Sequence, residues 1–385
     1  MRDGYGRDIY YLRLSVTDLC NLRCVYCMPA QGVEKRRHED ILSIEELEEI
    51  ALAAGRCGIR KIRLTGGEPL VRRGIVDICA RTAAAPGVEE VCMTTNGLLL
   101  PGLAADLRRA GLRRVNISLD TLSPERYREV TRIGELEAAL AGLRAALDNF
   151  ETVKINAVLI GGANEAEIPD LVALTRDLAV EVRFIELMPI GECAHWPEER
   201  FIENSKVLSA VPELEPAGAS GVARLYALPN AKGKVGLISP LSAHFCPECN
   251  RIRITPDGRL KPCLHSAQEI ELRGLRGALL LGVFGVGAVQ LALGGGDAVR
   301  ASGHVEHRGF EHAVDGRPAA LHAPAADHRP HAHGQHRARA GGVLGQKQRA
   351  VECLGRLHAL DGDAGGAHLR GDLYGRAPGG GGVGA

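Results

Sequence analysis

Short apolar runs typical of β-strands alternate with amphipathic patterns typical of helices along the first half of this chain. Such alternation limits the fold to parallel strands with helical crossovers outside them, in either a barrel or a doubly wound sheet. In both, the active site lies at the carboxyl ends of the strands. The predicted strands are Tyr11–Val16, Arg60–Thr65, Val88–Thr94, Arg113–Leu119, Thr152–Leu159 and Val180–Leu187. The predicted helices cover about residues 44–57, 73–84, 102–110, 134–148 and 167–178, the first opening with a capping box at Ser43–Glu46.

The alternation stops near residue 200, and the composition changes near residue 277. Shorter strand-like pieces lie between these points and predict a smaller appended region. These pieces are Ala223–Leu228, Lys234–Ile238 and Arg251–Thr255, the last followed by the turn Pro256–Gly258. After the second point, 108 of the 385 residues hold 24 of the 48 glycines, ten of the 14 histidines and one lysine. We therefore predict three parts, residues 1–199, residues 200–277 and a low-complexity tail over residues 278–385.

The tail allows three interpretations. It is a Gly/Ala/His/Arg-rich segment without a packed core, a histidine-rich metal-binding tract, or an out-of-frame translation of a GC-rich gene. The metal-binding interpretation is disfavoured because the histidines keep neither helical nor strand spacing. A second reading frame that encodes amphipathic helices from about residue 277 would support the frameshift hypothesis, and its absence would contradict it.

The overall charge excludes whole-surface binding to nucleic acid or to an anionic membrane, because 47 Lys and Arg balance 47 Asp and Glu. No apolar run approaches the roughly 18–20 residues that a membrane span needs. The N-terminus shows no apolar signal region. We therefore expect a cytoplasmic, reducing location, in which the eleven cysteines serve something other than disulfides.

Three cysteines follow the first predicted strand with the spacing C-x-x-x-C-x-x-C: Cys20, Cys24 and Cys27. Structural zinc takes four ligands, and the next histidine, His38, is eleven residues further on. An iron–sulfur cluster with three cysteine ligands fits better, since one iron then stays open for a substrate or cosubstrate. The alternative is a fortuitous trio in a loop.

A second trio consists of Cys246, Cys249 and Cys263. The turn between the second and third of these residues predicts a hairpin that returns Cys263 to the pair. A second cluster with an open iron is one interpretation. A zinc ribbon with His244 or His265 as fourth ligand is the other.

Three motifs together resemble a known family: the Cys20–Cys27 loop, Gly66–Pro69 after the second strand, and Phe245–Arg253. Over roughly residues 8–277 the chain resembles the radical S-adenosylmethionine GTP 3′,8-cyclases, the molybdenum cofactor biosynthesis protein A family. The first motif serves a whole superfamily, and its pairing with the second trio and an Asn-Arg-x-Arg segment makes the resemblance specific. It implies an α/β fold with an incomplete (β/α)6 TIM-like barrel, followed by a small region that carries a second cluster.

The resemblance also implies site residues. It assigns two [4Fe–4S] clusters, one to Cys20, Cys24 and Cys27 and the other to Cys246, Cys249 and Cys263. It assigns S-adenosylmethionine to Tyr26, Gly67, Ser118 and Met188. It assigns GTP to Arg13, Arg63, Thr94, Lys154, Arg251, Ile252 and Arg253. No catalytic residue is assigned beyond the clusters.

The residues themselves support part of this assignment. Gly67, Ser118 and Met188 fall at or just past the ends of predicted strands. Arg251 and Arg253 alternate with isoleucines, so a strand projects both guanidiniums from one face. Guanidinium groups bind phosphates and purine edges through paired hydrogen bonds. Glu68 or a nearby carbonyl is expected to accept a hydrogen bond from the ammonium group of S-adenosylmethionine. Arg113–Arg114 is expected to lie on the solvated surface.

By the resemblance, a 5′-deoxyadenosyl radical removes the ribose 3′ hydrogen of GTP, and the carbon radical attacks C8 of guanine to give 3′,8-cyclo-7,8-dihydro-GTP. The second cluster holds the guanine base. The implied partners are a flavodoxin-like reductant, a second copy of the chain in a homodimer, and the cyclic pyranopterin monophosphate synthase that receives the product.

Two other functions stay open on the sequence. One is a peptide-modifying radical enzyme with an auxiliary cluster, and the other is a zinc-stabilised binding protein without catalysis.

The family also carries a terminal Gly-Gly pair that reaches the active site, whereas this chain has Gly379–Gly382 followed by Val383, Gly384 and Ala385. If the sequence is authentic there, we expect impaired cyclisation with intact clusters.

Overall fold

The structure, a computed structural model, describes residues 1–3, 6–266 and 268–275. The predicted tail over residues 278–385 lies outside these residues. The described strands are β1 Tyr11–Ser15, β2 Lys61–Thr65, β3 Glu90–Thr95, β4 Leu112–Ser118, β5 Thr152–Leu159, β6 Val180–Glu186, β7 Glu215–Ser220, β8 Ala223–Ala227, β9 Lys234–Ile238, β10 Arg251–Ile254, β11 Arg259–Lys261 and β12 Ile270–Glu271. The described α-helices are α1 Ile44–Arg56, α2 Ile75–Ala84, α3 Ala104–Arg109, α4 Pro124–Thr131, α5 Leu136–Asn149, α6 Ile168–Asp177 and α7 Ser205–Ala210.

All these strands form one sheet in the order β12-β11-β10-β1-β2-β3-β4-β5-β6-β9-β8-β7. Strands β1 to β6 pair in parallel in chain order, and β10 and β9 extend this parallel core on its two sides. The sheet curves, and this brings Arg63 on β2 within electrostatic range of Arg183 on β6 although three strands lie between them. An α/β fold with an open, mostly parallel barrel is the predicted architecture.

The strands of the core have one apolar face and one polar face. On β1, Leu12 and Leu14 are fully buried in the hydrophobic core. Alternating with them, Tyr11, Arg13 and Ser15 face the concave side of the sheet. The helices cover the apolar face because burying it removes the most hydrocarbon surface from water. Functional side chains therefore collect on the concave face.

Local signals in the sequence agree with the start of α1 and with most strand bounds. The predicted capping box is present, since Glu46 N–H donates to Ser43 Oγ (3.1 Å) and Ser43 N–H donates to Glu46 Oε2 (2.9 Å). Strand β5 has the predicted bounds, and β1 to β4 and β6 lie within two residues of theirs. The patterns do not predict α4, α7, β7 or β12. No helix within the described residues is both long enough and apolar enough to cross a membrane.

Candidate active site

The first cysteine trio lies in the loop that leaves the carboxyl end of β1. Burial raises the pKa of the Cys24 thiol, and the charges of Cys27, Asp120 and Cys20 raise it further, so these groups lie close to it. Burial raises the pKa of Cys27 to about 12, and the charges of Asp120 and Cys20 add to this effect. Three neighbouring, soft sulfur donors at the active end of the barrel fit an iron–sulfur cluster.

Neighbouring elements hold this loop in place. Arg132, just after α4, donates through Nη1 to the carbonyl oxygens of Arg23 (2.8 Å) and Met28 (2.9 Å). Val25 N–H donates to Val130 O (2.9 Å), so the loop is also hydrogen-bonded along α4 itself. The position of the trio therefore depends on α4, a helix that the sequence patterns do not predict.

The Gly66–Pro69 turn after β2 packs against the same loop. Gly67 N–H donates to Thr17 O (3.0 Å), and Glu68 N–H donates to Leu19 O (2.8 Å). A Cβ atom on Gly67 would lie 2.6 Å from Asp18 O and would also overlap Leu19 O, so backbone contact alone requires glycine there.

Glu68 has a structural role that differs from the expected contact with the ligand's ammonium group. Its buried carboxylate accepts from Thr95 Oγ1 (2.7 Å) and from the backbone N–H groups of Asn96 (2.6 Å) and Leu70 (2.9 Å). Burial raises the pKa of Glu68, and these hydrogen bonds oppose the effect. The carboxylate joins the end of β2 to the end of β3.

A small cavity beside the first trio brings together two of the four residues predicted to bind S-adenosylmethionine, Tyr26 and Ser118, along with Cys24. Gly67 and Met188 do not line this cavity. Gly67 instead contacts the loop just before Cys20, and Met188 lies two residues beyond β6.

Asp120 lines the same cavity and was not predicted from the sequence. Its Oδ2 accepts from Tyr26 Oη (2.6 Å), and its Oδ1 accepts from Val158 N–H on β5 (2.8 Å). Burial raises the pKa of Asp120 to about 6, against the lowering effect of these two bonds. This carboxylate therefore links the cysteine loop to the far side of the barrel.

The second trio lies where the predicted hairpin returns the chain. Cys246 and Cys249 share a turn in which Cys249 N–H donates to Cys246 O (3.2 Å). Antiparallel pairing of β10 with β11 brings the following Cys263 back to that turn. Burial raises the pKa of Cys246, and the charges of Cys263 and Cys249 both raise it further. The predicted hairpin is confirmed.

His244 and His265, the alternative zinc ligands, also lie near each other. Burial lowers the pKa of His265, and the charges of Arg253 and His244 lower it further. Within residues 1–3, 6–266 and 268–275, no three His, Cys, Asp or Glu side chains converge on a position for a single metal ion.

Between the trios, three arginines form a row across adjacent strands. Arg253 on β10 pairs in register with Arg13 on β1, which pairs with Arg63 on β2. Burial lowers the pKa of Arg13 to about 9, and the charge of Arg253 is the next largest cause. Its Nε is buried without a hydrogen-bond partner among the described residues. A half-buried guanidinium whose buried Nε has no partner in the described structure is suited to binding an anion.

Other predicted GTP residues take different positions. Arg63 donates to Thr94 Oγ1 (3.0 Å) and to Met93 O (2.9 Å), and Arg251 stacks over the Phe245 ring at 5.4 Å. The side chain of Ile252 is buried in the hydrophobic core on the opposite face, so only its backbone is available to a ligand.

Lys154 lies in an ion network that the sequence did not predict. Its Nζ donates to Glu181 Oε2 (2.6 Å) and to Ser220 Oγ (3.2 Å). Arg183 contacts the same carboxylate and donates to Ser220 Oγ (3.1 Å). Burial lowers the pKa of Lys154 to about 8, with Arg183 as the next cause, while Glu181 opposes both. Ser220 lies at the end of β7, in the β7–β8 hairpin. The periodicity along β6 does not indicate that this hairpin packs beside Lys154.

The expectation for Arg114 is wrong. Its side chain lies on the concave face and pairs with Glu90 on β3, and its Nε is buried without a hydrogen-bond partner in the described structure. Arg113, by contrast, is exposed as expected. Arg114 takes the face opposite to Val115 and Ile117, which occupy the core, and the pairing of β4 with β3 shifts register at Arg113.

Comparison with known proteins agrees with this geometry. Residues 14–175 match the radical SAM superfamily, and residues 180–278 match molybdenum cofactor synthesis C. The chain is 52% identical over 275 residues to a GTP 3′,8-cyclase of Alkaliphilus metalliredigens, which covers 71% of this chain and 86% of that protein. It is 53% identical over 277 residues to a GTP 3′,8-cyclase of Peptoclostridium acidaminophilum, covering 71% and 85%.

Among solved structures, Streptococcus suis SuiB bound to precursor peptide SuiA superposes with a TM-score of 0.56. The two sequences are 14% identical, and the match covers 72% of this chain and 64% of SuiB. At that identity the likeness concerns the fold alone. The curated relatives share half of their residues with this chain over most of their length, and on that basis the chain belongs to the GTP 3′,8-cyclase family of radical S-adenosylmethionine enzymes.

Proposed function

We propose that this enzyme converts GTP into 3′,8-cyclo-7,8-dihydro-GTP with S-adenosylmethionine and two [4Fe–4S] clusters, the first step of molybdenum cofactor biosynthesis. The row of Arg253, Arg13 and Arg63 between the two cysteine trios carries the proposal. None of Arg13, Arg251 and Arg253 has a carboxylate partner within the described residues, so a polyanion such as a triphosphate is the natural counter-charge.

The first trio would hold one cluster, and S-adenosylmethionine would lie between Tyr26, Gly67, Ser118 and Met188. When bound, this pair supplies a 5′-deoxyadenosyl radical, chemistry that belongs to the cofactor rather than to the chain. The chain's part is to hold the cysteine loop through Arg132 and to orient Tyr26 through Asp120. The side chains that line the small cavity beside Cys24 would limit the access of water to the reacting carbon.

GTP would lie across the concave face. Arg13, Arg63, Arg251 and Arg253 would bind its phosphates and purine edge, and Thr94 and Ile252 would complete the site through a hydroxyl and the backbone. Lys154 would join them once it exchanges Glu181 for a phosphate. In the overall reaction the ribose C3′–H bond breaks, and its hydrogen passes to the 5′-deoxyadenosyl carbon. A bond forms between C3′ and guanine C8 as the C8=N7 double bond becomes single, and one electron from the reductant and one proton complete the dihydro product. The chain's role is to hold these two carbons together, with the base toward Cys246, Cys249 and Cys263.

The two parts of the chain would contribute different groups to this reaction. Residues 1–199 would provide the radical-generating barrel and four of the seven GTP residues, and residues 200–277 would provide the second cluster and the other three. The reaction requires an electron donor and a consumer of the cyclised nucleotide. We assign these roles to a flavodoxin-like reductant and to cyclic pyranopterin monophosphate synthase in the cytoplasm, with the enzyme as a homodimer.

The test is an anaerobic reconstitution of the full chain with iron and sulfide, followed by dithionite, S-adenosylmethionine and GTP. We expect about eight irons per chain, 5′-deoxyadenosine and the cyclised nucleotide. About eight irons with 5′-deoxyadenosine but no cyclised nucleotide would contradict the assignment of GTP as a substrate that this chain turns over. Zinc in place of iron would contradict the entire proposal.

A further inference from the structure

The first residues of the chain reach the second cysteine trio. Arg7 Nη1 donates to the carbonyl oxygen of Cys246 at 3.1 Å, a contact that joins residues 239 positions apart. No role for this arginine follows from the resemblance or from the cyclase reaction. We define the N-terminal strap as residues 1–3 and 6–9.

The strap is itself ordered by hydrogen bonds. Asp3 accepts from Arg7 Nε (2.6 Å) through one carboxylate oxygen and from Arg7 N–H (2.8 Å) through the other. The Asp3 side chain is fully buried, and that of Arg7 is 17% exposed. The strap closes through a bridge between Arg2 and Asp8. These contacts hold the Arg7 guanidinium in the orientation in which it donates to Cys246 O.

The carbonyl that Arg7 contacts is the one that closes the Cys-x-x-Cys turn. Cys249 N–H donates to Cys246 O (3.2 Å), so this oxygen accepts from both the turn and the strap. Four residues further along each segment, Tyr11 N–H donates to Asn250 O (3.2 Å), and β1 then pairs with β10. The segment from Arg7 to Tyr11 thus runs beside residues 246–250 and fixes both ends of the turn.

We propose that Arg7, aligned by Asp3, is a positioning residue for the second cysteine trio. It holds the Cys246–Cys249 turn in the conformation that presents both thiols to one side, and its positive charge offsets the negative charge of thiolates bound to iron. The inference rests on the proposed function only in that the second trio binds a cluster. Groups that orient metal ligands in this way typically change metal affinity by about 10- to 100-fold when removed.

The first test compares Arg7→Met with Arg81→Met after anaerobic reconstitution. Arg81 is a matched control because it also pairs with carboxylates, Asp77 and Glu48, on helices α1 and α2 away from either trio. We expect Arg7→Met to lose iron from the second cluster at an about 10- to 100-fold lower chelator concentration. The first cluster should stay intact, so 5′-deoxyadenosine formation persists, and Arg7→Lys should recover part of the loss. Arg81→Met should match the wild type.

The second test needs no cluster. In the metal-free full chain, alkylation by iodoacetamide is followed at individual cysteines by mass spectrometry. Asp3→Asn keeps the charge of Arg7 but removes the carboxylate that aligns it, so it should speed alkylation of Cys246 and Cys249 while leaving Cys27 at its wild-type rate. Equal chelator sensitivity in wild type and Arg7→Met, together with equal alkylation in wild type and Asp3→Asn, would overturn the inference.

Loss of iron from both trios in Arg7→Met would also overturn it, because the strap would then be a general stability element. A wild-type chain that binds zinc or a single cluster contradicts the proposed function instead. In that case the alkylation experiment still decides whether the strap holds the Cys246 turn.

Discussion

At the scale of single residues, neighbouring arginines on the concave face differ in whether they have hydrogen-bond partners. Arg63 is satisfied by Tyr11, Met93 and Thr94, whereas the neighbouring Arg13 has a buried Nε with no partner in the described structure. Burial of an unmatched charge costs folding free energy, and a bound anion recovers it. Arg63 therefore stabilises the ligand-free fold, whereas Arg13 gains its partner only when an anion binds.

We predict that Arg13→Met raises the stability of the ligand-free chain and weakens GTP binding. The free energy of unfolding should rise by about 1–3 kcal/mol, because methionine fills the site without a charge. GTP affinity should fall about 10- to 150-fold, the effect of one charged hydrogen bond. Urea unfolding and anaerobic equilibrium binding measure the two quantities.

Arg63→Met is the matched comparison. It should weaken GTP binding to a similar degree but lower the free energy of unfolding by about 1–3 kcal/mol, since its backbone and hydroxyl partners stay buried and unpaired. If both variants change stability in the same direction, the distinction between matched and unmatched arginines is wrong.

The second prediction at this scale concerns Asp120 and pH. Its pKa in the folded chain is about 6, above the ordinary value of 3.8, so the folded chain binds this proton more tightly than the unfolded chain. The resulting stabilisation is complete below the ordinary pKa and is lost as the pH rises through the folded value. Between pH 5 and 7.5 the metal-free chain should lose about 1 kcal/mol from this group.

Asp120→Asn should lack that decline, as measured by urea unfolding at the two pH values. Asp106→Asn, at an exposed position on α3, should keep it. A parallel decline in wild type and Asp120→Asn would show that another group is responsible.

At the scale of elements, both trios lie in loops whose positions are set by other elements. The first loop is held by α4 and by the Gly66–Pro69 turn. The loop before the second trio is held by Glu186 at the end of β6, which accepts from the N–H groups of Leu241 and Ser242, both at 3.0 Å. Loops with few internal bonds gain a defined shape from such anchors.

We predict that Gly67→Ala displaces the first cysteine loop. The new Cβ would meet the carbonyl oxygens of Asp18 and Leu19, and a backbone atom cannot rotate away as a side chain can. Iron should fall from about eight to about four per chain, with loss of 5′-deoxyadenosine formation. Gly102→Ala is the control, because nothing lies within 4 Å of a Cβ at that position. Full iron content in Gly67→Ala would contradict the close-packing argument.

At the scale of the whole molecule, the parallel core depends on strands from distant parts of the chain. β10 covers the open side of β1, and β9 covers the open side of β6, so residues beyond 199 complete the sheet on both flanks. Exposed parallel edges present unpaired backbone groups and favour aggregation.

We therefore predict that a chain ending at residue 199 does not fold as a monomer, whereas one ending at residue 277 does. Size-exclusion chromatography and urea unfolding of the two truncations measure this. The shorter chain should aggregate or lack a cooperative transition, and the longer one should show a single transition. A cooperative, monomeric shorter chain would show that the two flanking strands are dispensable.

Much of this molecule follows from local patterns. The positions of β1 to β6, the capping box of α1 and the hairpin that returns Cys263 all follow from periodicity, capping chemistry and turn residues. Helix α4 was missed because it is short and polar, with Tyr127, Val130 and Thr131 as its buried residues, although Ser123 and Pro124 mark its start.

The sequence by itself determined the α/β fold, the two cysteine trios and the family, because these rest on spacings along the chain. Only the tertiary structure decided which charges meet. It turned Arg114 inward to Glu90, used Glu68 to join two strands, and brought Arg7 to Cys246. Periodicity fixes which face a side chain takes, but its partner comes from another strand or loop, and that contact exists only once the strands have paired.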